Sequence, residues 1–184
     1  MPSVLAVCVV ATLRPDAGTV GVTAIDKRPV DHAVHVGPYG LYADVQADRK
    51  HHGGLDQAIY AYGQEDADWW AEQVGAEFAP GVFGENIRVE GFDVNAARVG
   101  DRWRIGENVL LEVTKPREPC QTFARWIESQ GIADSRGWVK RFYAARRLGP
   151  YLRVIEPGEI RAGDAIVVEP APAGAPVVID LADA

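Results

Sequence analysis

The chain has 184 residues, 47% hydrophobic and 24% charged, with a formal net charge of −7. That length can bury roughly 70% of the unfolded chain's surface, which suits one globular domain and excludes a disordered or fibrous protein. The acidic total argues against a general nucleic-acid binder, and two cysteines exclude both a disulfide framework and a four-cysteine zinc site.

Ser3 to Leu13 reads as a first strand, rich in Val and Ala. Its apolar run from Val4 is far shorter than the ~20 residues of a membrane-spanning helix, and it lacks the basic start and cleavage site of a secretory signal. A cytoplasmic protein without a membrane span is therefore expected. His32 and His35 are spaced H-x-x-H, but on a strand that spacing puts the rings on opposite faces, so they read as ordinary polar positions. Val34–Val36 is a short strand before Gly37-Pro38, and Gln57–Tyr62 is another. Glu65–Phe78 is predicted to be helical, with Ala67, Trp70, Ala71, Val74 and Phe78 on one face and Glu65, Asp66 and Asp68 in the first turn. Asn86–Val89, Arg102–Ile105 and Val109–Thr114 read as strands, the last two joined by a turn at Gly106-Glu107-Asn108. Two short helices follow, at Cys120–Glu128 and Ser135–Arg147, then strands at Pro150–Ile155 and Ala165–Val168. Pro170–Pro176 opens a loose tail with a Val177-Val178-Ile179 anchor. Arg98-Val99-Gly100-Asp101 and Arg161-Ala162-Gly163-Asp164 each precede a strand, as if opening equivalent corners. Many short strands punctuated by glycine favour a β-barrel over a doubly wound sheet.

Charge is unevenly distributed. Between Lys115 and Arg153 stand nine basic residues and three acidic ones, a local basic segment in an acidic chain that suits recognition of a small anion. Several common chemistries are absent: no G-x-G-x-x-G, no Walker P-loop, no G-x-S-x-G and no H-E-x-x-H.

Three local features remain. In Pro116-Arg117-Glu118-Pro119-Cys120 a stiff loop leads into a helix that begins at Cys120, where the helix dipole, Lys115 and Arg117 favour a thiolate. Cys120 also shares the spacing of Phe123, Ala124 and Ile127, so it is either a reactive thiol or a small core residue. Asp48-Arg49-Lys50-His51-His52-Gly53-Gly54 combines basic side chains with a Gly-Gly backbone that can approach a phosphate, or is a polar hairpin loop. Phe83-Gly84-Glu85-Asn86 presents a polar pair at a strand entry.

Together these segments resemble the MOSC domain, named for the C-terminal domain of molybdenum cofactor sulfurases. The likeness runs from about Lys27 to Glu169, through Lys27-Arg28-Pro29-Val30, Gly40-Leu41 to Asp48-Arg49, His52-Gly53-Gly54, Phe83-Gly84-Glu85-Asn86, Gly100-Asp101-Arg102, Pro116-Arg117-x-Pro119-Cys120, Tyr151-Leu152-Arg153-Val154 and Gly163-Asp164. It departs at Ala43-Asp44, where relatives usually carry Gly-Asp.

The resemblance implies a mainly β fold, a MOSC-type barrel like that of pyruvate kinase with about three short helices. It would span residues 1–169, with 170–184 as the Pro/Ala-rich tail. It implies a molybdenum cofactor, a molybdopterin, with Cys120 as molybdenum ligand or sulfur carrier. Lys27, Arg49, His52, Gly53, Gly54, Asn86 and Arg117 would hold the cofactor, and Glu85 or His52 would donate a proton. Enzymes of the family reduce N-hydroxylated compounds such as hydroxylaminopurines and amidoximes. No ferredoxin-like cysteine cluster is present, so a separate electron-donor protein is expected. Two alternatives stay open: a carrier of sulfur or cofactor without turnover, and a cofactor-free binding barrel.

Overall fold

The computed structural model describes residues 1–48, 53–132 and 136–182. The elements run β1 (Ser3–Pro15), β2 (Val22–Val30), β3 (Val34–Gly37), β4 (Gly40–Leu41), β5 (Ile59–Gly63), α1 (Gln64–Val74), β6 (Ile87–Glu90), β7 (Arg102–Ile105), β8 (Val109–Pro116), α2 (Gln121–Glu128), α3 (Trp138–Ala145), β9 (Pro150–Glu156), β10 (Gly158–Ile160) and β11 (Ile166–Glu169). Single 3-10 turns lie at Leu55–Gln57, Val94–Ala96 and Val178–Leu181. The protein is thus mainly β with three helices, as expected.

Eight strands form one sheet in the order β11-β7-β8-β9-β5-β6-β1-β2, and β10-β3-β4 form a second. The β5–β6 pair is parallel, because α1 carries the chain back between them; the other ladders are antiparallel. The large sheet does not close into the continuous barrel expected. A single isolated bridge, Ser3–Ala165, joins the start of β1 to the chain entering β11, supported by the Val4 N–H on the Asp164 carbonyl at 2.9 Å and the Ile166 N–H on the Pro2 carbonyl at 2.9 Å.

Strand β5 divides the interior, since successive side chains point to opposite faces. Ile59 and Ala61 enter an aliphatic core with Val7, Ile87, Leu111 and Leu152. Tyr60 and Tyr62 enter an aromatic layer with Trp70, Phe83, Phe123 and Phe142, covered by the helices. In that layer Trp70 and Phe142 stack 5.3 Å apart at 4°.

Strands β2, β4 and β10 were not expected from the sequence. In β2 the charged run Asp26-Lys27-Arg28 obscures the strand pattern, yet Asp26 is buried and bonded to Arg14 at 2.7 Å and Arg28 at 3.1 Å. Helix α1 ends before Phe78, because Gly75 takes the left-handed cap and its N–H returns to the Ala71 carbonyl at 2.8 Å. Gln57 belongs to a 3-10 turn rather than to β5. The tail anchor is present: Val177 bridges Arg98, and Val178 is buried. The Arg-x-Gly-Asp echo is a real structural repeat. In each copy the Asp side chain accepts from the Arg N–H, at 2.7 Å for Asp101 and 2.9 Å for Asp164, and the glycine has φ near +90°. The strands these turns open, β7 and β11, are neighbours.

Candidate functional site

A cavity of about 370 Å³ opens between the sheet, the start of α2 and the β1–β2 hairpin. Its sheet side carries Lys27 from β2, Asp44, Tyr60 from β5 and Asn86 at the entry to β6. Asn86 substitutes for a ladder partner: its Oδ1 accepts from the Tyr60 N–H at 3.1 Å and its backbone N–H donates to the Tyr60 carbonyl at 2.8 Å. That orientation aims Nδ2 at Asp44 Oδ2, 2.7 Å away. The same oxygen pairs with Lys27 Nζ, and Asp44 Oδ1 accepts from the Val10 N–H at 3.0 Å. Lys27 is only 7% exposed, so this pair fixes a largely buried ammonium in the cavity wall.

Asp44 reaches that position through an unusual turn. Its N–H closes onto the Leu41 carbonyl at 3.1 Å, which requires Ala43 at φ +66°, the left-handed region. Ala43 therefore keeps the glycine-like geometry at the point where the sequence departs from its family pattern, at a cost of roughly 1 kcal/mol.

Arg117, Cys120 and Tyr151 line another side. Arg117 follows β8, and its N–H is held by the Gly149 carbonyl at 2.9 Å. The residue is 5% exposed; its guanidinium lies 4.4 Å from the Phe123 ring centre and 5.6 Å from that of Tyr60, and its Nη1 has no hydrogen-bond partner among the described residues. A buried cation with an unmet donor favours an anionic ligand. Burial pulls the Arg117 pKa down, but its Tyr60, Tyr151 and Cys120 surroundings outweigh this and the net direction is up. Burial also pushes the Tyr60 and Tyr151 phenols up, so both stay neutral.

Cys120 is the N-cap of α2, in extended backbone, and its carbonyl accepts from the Ala124 N–H at 3.0 Å. The thiol does not cap the helix; it is half-buried, packs beside the aromatic layer and lines the cavity. The position combines apolar contact with access to the cavity. Cys8, by contrast, is fully buried, and burial raises its thiol pKa far above the ordinary value.

The third side is the hairpin, with Gly18, Thr19, Val20, Val22 and Thr23 on the cavity. Asp16 fastens it to α2, accepting from Arg125 Nε at 2.9 Å, Arg125 Nη2 at 2.7 Å, Thr122 Oγ1 at 2.9 Å and the Gly18 N–H at 2.9 Å. The hydrogen-bonded Arg125 is the main reason its carboxyl is held down to about 2.

The structure thus brings Lys27, Asn86, Arg117 and Cys120 together around one cavity. Glu85, the other residue offered as a proton donor, lies away from the cavity. It is fully buried, its Oε1 accepts from Arg88 Nε at 2.8 Å, Arg88 Nη2 at 2.5 Å and the Gly81 N–H at 2.8 Å, and it is not part of the cavity wall. Adjacent Glu85 and Asn86 point apart, so only Asn86 meets the cavity. The Glu85 bond shapes the 81–85 loop, where Gly81 passes so close to β2 that a Cβ would lie 2.4 Å from the Lys27 carbonyl oxygen. Gly53 and Gly54 are also off the wall; the Gly54 N–H is taken by Gln46 Oε1 at 2.8 Å. Arg49 and His52 lie outside the described residues. Asp44 stood within a quoted segment without a role, and no motif signalled Asp16, whose helix partners Thr122 and Arg125 lie more than a hundred residues away. No group of three or more His, Cys, Asp and Glu side chains suited to a metal occurs among the described residues.

These features define a mainly β protein whose cavity joins a buried guanidinium to a cysteine at a helix start. Residues 48–167 match the MOSC domain family model, and the chain belongs to that family. It is 33% identical over 141 residues to YflK of Bacillus subtilis (strain 168), covering 77% of this chain and 61% of that protein. It is 32% identical over 143 residues to YiiM of Escherichia coli (strain K12), covering 76% and 61%. A protein named "Reductase" from Gibberella moniliformis is 30% identical over 150 residues, covering 78% of this chain and 25% of that one. The chain therefore spans less than two thirds of each relative's length. The crystal structure of YiiM from Geobacillus stearothermophilus superposes with a TM-score of 0.74 at 28% identity, over 97% of this chain and 80% of that one. No helix among the described residues is long and apolar enough to cross a membrane.

Proposed function

We propose that this cavity binds a molybdenum cofactor and that the protein reduces N-hydroxylated compounds. The observation that carries the reading is Arg117, a buried guanidinium with an unmet donor, in the same cavity as the Cys120 thiol. Membership of the MOSC family and likeness to a protein named a reductase support it. The residues fit the group: Arg117 and Lys27 offer positive charge to its phosphate, and Cys120 offers a soft sulfur to the metal. When bound, the cofactor supplies two-electron chemistry that removes oxygen from an N–O bond, with two protons completing water. The chain's part is to bind and orient. Asp44 and Asn86 hold the Lys27 ammonium at the wall, the aromatic faces of Phe123 and Tyr60 shelter Arg117 from water, and α2 presents Cys120. His52 remains the candidate proton donor, and Arg49 a further phosphate ligand. We also read the bridged sheet as a barrel in function, residues 1–169 as one MOSC domain, and the setting as cytoplasmic, with a separate protein supplying electrons.

The test is metal analysis of the protein and its Cys120→Ala variant, each purified from a cofactor-producing host. Molybdenum is expected in the parent and lost from the variant; its absence from the parent overturns the reading. Reduction of an N-hydroxylaminopurine with a supplied reductase then separates an enzyme from a carrier.

A further inference from the structure

The β1–β2 hairpin does more than bound the cavity. Its tip leans on the helix that begins at Cys120, and two side-chain contacts carry the junction. Arg14 lies 5.3 Å from the ring centre of Trp126, and Asp16 gathers the four donors described above. Two of the Asp16 partners, Thr122 and Arg125, belong to the first five residues of α2, immediately after the cysteine. A carboxylate at that end of a helix also opposes the positive pole of its dipole. Cys120 is half-buried at the N-cap of α2, directly before the turn that Asp16 holds, so the hold on that turn bears on where the thiol sits.

We propose that Asp16 is a positioning residue for Cys120: by clamping the hairpin to Thr122 and Arg125, it holds the first turn of α2 and walls the thiol into the cavity. Without the clamp, Thr19, Val20 and Val22 lose their tether to the helix and the cavity opens on the Cys120 side. The inference rests on the reading of Cys120 above for its significance, but not for its test.

The two cysteines provide that test. Full-length protein is treated with iodoacetamide at neutral pH, and the rate at each cysteine is read by peptide mass mapping. Cys8 is fully buried, so it reports general loosening. In Asp16→Asn, alkylation of Cys120 is expected to rise at least threefold while Cys8 stays at its parental rate. Arg125→Gln removes two of the four donors at a half-exposed position and is expected to shift Cys120 in the same direction by less. An unchanged Cys120 rate in both variants overturns the proposal, as does a parallel rise at Cys8. Alkylation needs no bound cofactor, so a protein without molybdenum would defeat the reading of function and leave this test standing.

Discussion

Two of the cavity walls, the sheet and the hairpin, are held in different ways. On the sheet side the polar groups are tied to the strands: Asn86 completes the β5–β6 pairing, Asp44 is tied to β1 through the Val10 N–H, and Lys27 of β2 is paired with Asp44. On the hairpin side one carboxylate joins two elements that otherwise share few contacts. The difference teaches where substitutions act. Changes behind the sheet wall are paid in folding free energy, whereas changes at the hairpin alter access and alignment with the fold intact.

The sharpest challenge to this contrast lies behind the sheet wall. Arg88 is fully buried and binds Glu85, Gln64 Oε1 at 2.9 Å and the Phe78 and Ala79 carbonyls, so it fastens the 78–85 loop to β6. Removing one member of such a pair leaves an uncompensated buried charge and typically costs about 3–5 kcal/mol. Glu85→Ala should therefore show that loss in urea unfolding, and Glu85→Leu combined with Arg88→Met should recover most of it. A loss below about 1 kcal/mol in the single variant would mean the loop is held by other contacts.

How far these two walls were legible follows from the same contrast. Local pattern located β7 and β8, the helix start at Cys120 and the basic loop before it, because strand alternation and capping are decided by near neighbours. The family likeness brought Lys27, Asn86 and Arg117 to one site, and the structure unites them. A motif marks a segment and does not say which of its polar residues lines the cavity: the Glu85 carboxylate is taken by Arg88 and the Gly81 N–H, while Asn86 faces the cavity. Strand β2 was obscured because its charges are neutralised by partners on β1 and in the loop at Asp44. Asp16 carried no local signal, since its clamp exists only once distant segments meet.

A smaller effect concerns the turn that delivers Asp44. Ala43 sits at φ +66°, where a Cβ is disfavoured. Ala43→Gly relieves that strain but gives the unfolded chain more freedom, two opposed contributions of similar size. Relief should prevail, because left-handed backbone costs alanine roughly 1–2 kcal/mol and the added unfolded entropy is about 0.4–1 kcal/mol. The expected result is a gain below about 1 kcal/mol in urea unfolding, with the Lys27–Asp44 pair unchanged. Destabilisation would show that Ala43 makes a contact worth more than its strain.

A further effect is a pH dependence at the hairpin wall. The folded Asp16 carboxyl, held by Arg125, titrates at about 2, below its ordinary value of 3.8. A depressed pKa means that the unfolded chain binds the proton first, so this group's contribution to stability is complete above the ordinary value and fades as pH falls through 2. The stability difference between the parent and Asp16→Asn should then stay level from pH 7 to about 5, shrink below 4 and nearly vanish toward 2. Comparing the two proteins cancels the other carboxylates, which titrate in both. A difference that persists undiminished to pH 2 would show that the Asp16 contacts do not depend on its charge, and that the hairpin is fastened by shape and by the Arg14–Trp126 contact instead.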